Sequence, residues 1–93
     1  MNRYDAKICL RTEDEGGLTQ RAFSGMQSSI EIAGDLVACK IIYGAEGTEM
    51  TLGEEHLVQI ELSYESEISD RLVRNYHFGI NVGGRVISHG VIM

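Results

Sequence analysis

The segment from Tyr76 to Met93 constrains the fold more than any other. Tyr76, Phe78, Ile80 and Val82 fall on one face at period-two spacing. Gly83-Gly84 then supplies two positions that tolerate positive φ, and a second apolar run begins at Val86. This pattern predicts a tight antiparallel hairpin. Gly79 and Gly90 interrupt its two arms, and glycine within a strand marks a bend, a bulge or the close approach of another backbone. The hairpin is therefore expected to belong to a curved sheet.

The rest of the chain has the same period. From Arg3 to Arg11, Tyr4, Ala6, Ile8 and Leu10 alternate with Arg3, Asp5, Lys7, Cys9 and Arg11, which predicts a half-buried strand. The polar run Thr12 to Gly17 has to turn, and the loop is expected to continue to Phe23. Ser28 to Ile32 and Leu36 to Tyr43 read as a hairpin turning at Asp35, with Val37, Cys39, Ile41 and Tyr43 inward. Gly44 to Gly53 reads as an acidic loop anchored by Met50 and Leu52. Leu57 to Leu62 is the next strand, with Val58, Ile60 and Leu62 inward and Gln59 and Glu61 in water. Between Ser63 and Asn75 the periodicity loosens, so that Ile68, Leu72 and Val73 fit either one helical turn or an extended loop. Six strands without an internal repeat predict a small antiparallel barrel or sandwich, and the glycine-kinked hairpin favours the closed barrel.

Ninety-three residues make a single domain, 1–93, with one core. The formal charge is −6, and acid is concentrated in Glu13-Asp14-Glu15, the 46–55 segment and the 61–70 segment. Such a balance disfavours nucleic acid, whose affinity comes largely from Lys and Arg contacts to phosphate. No run of eighteen apolar residues is present, nor a basic segment leading into an apolar one, so neither a membrane nor a secretory role is expected and a cytoplasmic location is. Cys9 and Cys39 lack metal-ligand spacing. Cys39 alternates with Val37 and Ile41 and reads as a core residue, whereas Cys9 shares a face with Lys7 and Arg11.

Candidate catalytic groups are sparse. His56, His77 and His89 share no i, i+2 or i, i+4 spacing, so a histidine metal site is not expected. Ser88 and His89 are adjacent and would point to opposite faces of a strand, which rules them out as a dyad. The paired carboxylates of Glu13-Asp14-Glu15 and Glu54-Glu55 read as solvated faces. Gly44-Ala45-Glu46-Gly47 lacks the lysine of a phosphate-binding loop and is surrounded by acid. These features predict a non-enzyme with no cofactor and no GTP binding by this chain alone. Arg71, Arg74 and Arg85 are the candidate basic contact residues, with pairing to neighbouring acids as the alternative.

In one set of ordered motifs the chain resembles the C-terminal β-barrel, the third domain, of elongation factor Tu and elongation factor 1-alpha. The first strand is followed by Asp14-Glu15-Gly16-Gly17, then by Phe23-Ser24-Gly25. Glu49-Met50-Thr51-Leu52-Gly53-Glu54 is similar to the family's Glu-Met-x-x-Pro-Gly-Asp. The end, Phe78-Gly79-Ile80 with Gly83-Gly84-Arg85-Val86 and Gly90-Val91-Ile92, is similar to Phe-Ala-Ile with Gly-Gly-Arg-Thr-Val-Gly-Ala-Gly-Val-Val. The resemblance covers nearly the whole chain and implies a closed six-stranded antiparallel barrel.

What the resemblance implies for function is narrower. The family's Gly-Tyr-Arg-Pro-Gln-Phe, whose Arg and Gln help hold the T-stem of aminoacyl-tRNA, reads here as Gly25-Met26-Gln27-Ser28-Ser29-Ile30. Its Thr-Asp-Val-Thr-Gly becomes Asp35-Leu36-Val37-Ala38-Cys39, and the acidic residue before the Gly-Gly turn becomes Val82, with Gly83 kept. Among the implied tRNA-contact positions Gln27, Ser29, Ala38, Val82 and Gly83, the first four each lack a donor, acceptor or charge of the family pattern, and Gly83 is kept. The expectation is a binding module for a protein partner, a mimic or accessory of a translation factor. The alternatives are an accessory that still contacts aminoacyl-tRNA through Arg71, Arg74 and Arg85, and a structural protein that assembles through an exposed strand edge.

Overall fold

The computed structural model describes residues 3–12, 14, 22–63 and 70–93. Its strands are β1 (Arg3–Leu10), β2 (Ala22–Phe23), β3 (Met26–Ile32), β4 (Asp35–Ile42), β5 (Glu49–Met50), β6 (Glu55–Leu62), β7 (His77–Val82) and β8 (Arg85–Ile92). Six of them close into an antiparallel barrel in the order β1-β6-β4-β3-β7-β8, and β2 pairs with β5 as a separate two-stranded ribbon. The expected turn through 13 and 15–17, most of the loop up to Phe23, and Ile68 lie outside the described residues.

Alternation decides which side chains meet inside. Ala6, Ile8 and Leu10 of β1, Val37, Cys39 and Ile41 of β4, and Val58, Ile60 and Leu62 of β6 are all buried, as are Phe78 and Ile80 of β7. Tyr4, Tyr43, Tyr76 and Val82 pack at the margins of this core. Gln59 and Glu61 are half-buried rather than fully in water, because Gln59 donates to Asp5 and Glu61 pairs with Arg3 across the β1–β6 seam.

The two hairpins turn on backbone chemistry. Gly83 (φ 59) and Gly84 (φ 81) are both left-handed, the geometry that matches the twist of the flanking strands. The β3–β4 turn is centred on Ala33 (φ 51) and Gly34 (φ 87), not on Asp35, which already pairs with Ile32. Alanine is an unusual occupant of that conformation, and the hydrogen bond from its amide to the Tyr76 hydroxyl (3.0 Å) helps to hold it there.

Closure is made between β1 and β8, where Ala6 to Leu10 lie opposite Ile92 to Ser88. A one-residue bulge in β8 sets this up: Ile80 faces Ser88, Asn81 faces Val86, and the extra residue Ile87 is turned inward beside Ser88. The Ser88 hydroxyl, fully buried, donates to the Cys9 carbonyl oxygen at 2.8 Å. At Gly90 a Cβ would lie 2.6 Å from Phe78 Cζ and 2.8 Å from Ile8 Cγ2, so the ring of Phe78 occupies the space a side chain would need.

β2 and β5, two residues each, have no counterpart among the expected strands. Ser24 holds this ribbon against the barrel. Its amide donates to Thr48 O (2.7 Å), its carbonyl accepts from Gly47 N (3.0 Å), and its buried Oγ accepts from Tyr43 N (2.8 Å). Ala22 and Met50 are thereby buried. In the β6–β7 connection Leu72 is buried and Val73 is 60% exposed, so the two do not share one inward-facing turn.

Replacing Gly90 with alanine is expected to destabilise the fold by about 1–3 kcal/mol through overpacking against the Phe78 ring and the Ile8 side chain. Phe78→Leu in the same background should recover part of that loss. Urea unfolding of the two single variants and the double variant measures the coupling.

Candidate docking face

The outer surface of the barrel is built from the other half of each alternation. On β3 the outward residues are Gln27, Ser29 and Glu31, and on β4 they are Leu36, Ala38 and Lys40. The register sets Gln27 opposite Lys40, Ser29 opposite Ala38, and Glu31 opposite Leu36. On the other side of β3, Ser29 faces Asn81 and Glu31 faces Gly79. Ala38, Ser29 and Asn81 therefore form one row across three strands, with Leu36, Glu31 and Gly79 as the next row. The first row consists of small, neutral side chains. In the second, Leu36 is 52% exposed, an apolar residue standing in solvent on a regular strand.

Of the positions that the family resemblance singles out, Gln27, Ser29 and Ala38 come together on this face. Val82 does not join them: one residue beyond outward-facing Asn81, it packs against the core. Gly83 sits at the tip of the β7–β8 hairpin in its left-handed conformation. Lys40 is the cation of these rows. Arg3, two strands away, is committed to Glu61 at 2.7 Å.

The basic trio is divided. Arg85 opens β8, whereas Asn75 donates to the carbonyl of Ile92 at the other end of that strand, which places Arg74 and Arg71 there. The intervening strand is about 23 Å long at about 3.3 Å per residue. Arg71, Arg74 and Arg85 are each exposed, but they do not make one basic spot. The closed barrel also leaves none of its six strands with a free edge, so edge-to-edge assembly has no barrel strand to use.

Two of the three histidines have structural partners. His56 meets Thr51 O at 2.8 Å, and its ring lies edge-on to Tyr43 with 5.0 Å between centroids. His89 points outward, in contact with the Arg11 guanidinium, while Ser88 points inward. Among the described residues no three His, Cys, Asp or Glu side chains lie close enough to hold a metal ion.

Cys9 and Cys39 are unbridged, the first exposed and the second buried. Burial, only partly offset by the Ser28 hydroxyl 3.9 Å away, pushes the Cys39 thiol from its ordinary 9.0 up to about 11. The folded state thus keeps this proton to higher pH than the unfolded chain does. The resulting stability is complete below about pH 9 and is lost as pH rises through about 11.

Two measurements check this assignment. In native protein at pH 8 a thiol reagent should titrate Cys9 alone, with Cys39 reacting only after denaturation. The stability advantage of the protein over its Cys39→Ala variant should shrink by about 2 kcal/mol as pH is raised across that alkaline window.

No model of a known protein family matches the chain, and no curated protein matches it.

Proposed function

We propose that the chain is a non-catalytic binding module of the elongation-factor third-domain type. In this reading it engages a protein through the outer face of β3, β4 and β7, and it has lost the contacts by which that family grips tRNA. The observation that carries this reading is the row Ala38, Ser29, Asn81 beside exposed Leu36. It is a small-residue, nearly neutral face on a rigid barrel, on the side where the resemblance implies RNA contacts.

The physical case rests on what each kind of partner needs. A phosphate backbone needs several cations at once, and these rows supply Lys40 alone within a chain of net charge −6. Protein interfaces, by contrast, have cores depleted of charge and rims that are polar. Leu36 with Ala38 and Ser29 fits the first description, and Gln27, Lys40, Glu31 and Asn81 fit the second. Fitting partners are proteins that recognise the third domain of a full elongation factor, or the other domains of such a factor. The chain would then act as a mimic or accessory in the cytoplasm.

The reading is tested by two titrations of the purified chain. Aminoacyl-tRNA at low salt is expected to show no binding that weakens steeply with added salt. A steep salt dependence would instead favour an RNA accessory that uses Arg71, Arg74 and Arg85. Purified elongation factor lacking its third domain, or a purified protein that binds that domain, is expected to bind. Ser29→Arg and Ala38→Arg should each weaken that binding by about 2 kcal/mol or more, the scale of a central interface residue. Binding of tRNA together with no binding to either protein would overturn the reading.

A further inference from the structure

The described glycines differ in what the fold demands of them. Seven have positive φ, and Gly90 has no room for a Cβ. Gly79 has neither constraint. Its φ is an ordinary strand value. An added Cβ would lie 3.8 Å from Glu31 Oε2, 3.8 Å from Val86 Cγ1 and 4.0 Å from Ser88 O, which are ordinary contacts. Alanine would fit here, and within a strand it costs less conformational entropy than glycine. The barrel therefore does not require glycine at 79, and what its absent side chain creates lies on the outside.

That feature is a groove of about 520 Å³ with Gly79 in its floor and Glu31, Tyr76, His77, Val86 and His89 among its walls. Glu31, Gly79 and His89 stand level with one another across β3, β7 and β8. The Tyr76 hydroxyl is already bonded to Ala33 N. Arg11 does not line the groove and directs its donors to Val86 O and the His89 ring. The Glu31 carboxylate is exposed and without an ion pair among the described residues, so it is the free charge facing the groove.

We propose that this groove receives an extended segment of a partner protein, whose lysine or arginine side chain lies over Gly79 and pairs with Glu31. A strand glycine that the fold does not need is what close approach of a second chain requires. Val86 offers an apolar wall for the aliphatic stem of such a side chain while its cation meets the carboxylate. The net charge of −6 attracts basic segments at longer range. The groove adjoins the Ser29–Asn81 row, so the inference rests on the docking reading above and names the partner's chemistry.

The probe is an acetylated, amidated tetralysine peptide titrated into ¹⁵N-labelled protein, with tetraglutamate and spermidine as comparisons. Tetralysine is expected to shift the amides of Glu31, Gly79 and His89. Gly79→Ala should weaken it by at least about tenfold while melting at the same or a higher temperature. Glu31→Gln should weaken it to a similar degree at low salt, and tetraglutamate should shift nothing. Shifts spread over the acidic 46–55 loop and unchanged by Gly79→Ala would overturn the proposal, as would spermidine reproducing the tetralysine response. A partner protein that binds the Gly79→Ala variant normally yet is lost with Ser29→Arg would contradict the groove and leave the docking face standing.

Discussion

Everything in this barrel depends on the contact of Phe78 and Ile8 at the bare backbone of Gly90. β1 and β8 are the two strands that must meet for the sheet to close, and Gly90 lies directly opposite Ile8 in that pairing. A side chain at 90 would push either the ring of Phe78 or the whole of β1 outward. Closure matters because an open sheet would present two edge strands with unpaired backbone groups, whereas in the barrel each of the six strands has a paired neighbour on both sides. The core that closure encloses is built largely from branched aliphatics, among them Ile8, Ile30, Ile41, Ile60 and Ile80. The bulge at Ile87 turns one more isoleucine inward, and the hydroxyl of neighbouring Ser88 is satisfied by the Cys9 carbonyl.

Closing the sheet also creates the outer face. With inward positions taken by the core, each outward residue is brought level with partners on two flanking strands by the same registers. Ala38, Ser29 and Asn81, distant in sequence, become one row in this way, and Glu31, Gly79 and His89 another. A rigid scaffold presenting small side chains loses little conformational entropy when a partner docks. Ion pairs at Arg3–Glu61 and Lys7–Glu55 lie on the far side, across β1 and β6, and contribute little to stability because both are substantially exposed.

The period-two strands could be read from the sequence because each has one apolar and one polar face. β1, β4, β6 and the terminal hairpin fall within a residue or two of their expected bounds. The turn at Gly83-Gly84 is legible because both residues take a positive φ that favours glycine. Other features lack a periodic signature. β2 and β5 are too short to alternate and are fixed by the hydrogen bonds of Ser24. The β3–β4 turn uses an alanine where pattern favours glycine or asparagine, and Tyr76 from a distant strand supports it. Of the candidate contact residues, Gln27, Ser29 and Ala38 share a face as strand parity dictates. The separation of Arg85 from Arg71 and Arg74 depends on which end of β8 each occupies, which a linear reading does not contain. Gly79 looked like Gly90 in sequence, and the space around each is what tells them apart.

The most direct test of the closed barrel is the seam itself. Nuclear Overhauser contacts should connect β1 to both neighbours, with Ala6 close to Ile92 and to Val58, and Cys9 close to His89 and to Glu55. The amide of Arg11, which donates to Ile87 O at 2.8 Å, should exchange slowly with solvent. Cross-strand contacts on both sides of β1 are the predicted result. Contacts to β6 alone, with a rapidly exchanging Arg11 amide and an unpaired β8, would contradict the closed barrel and the outer face derived from it.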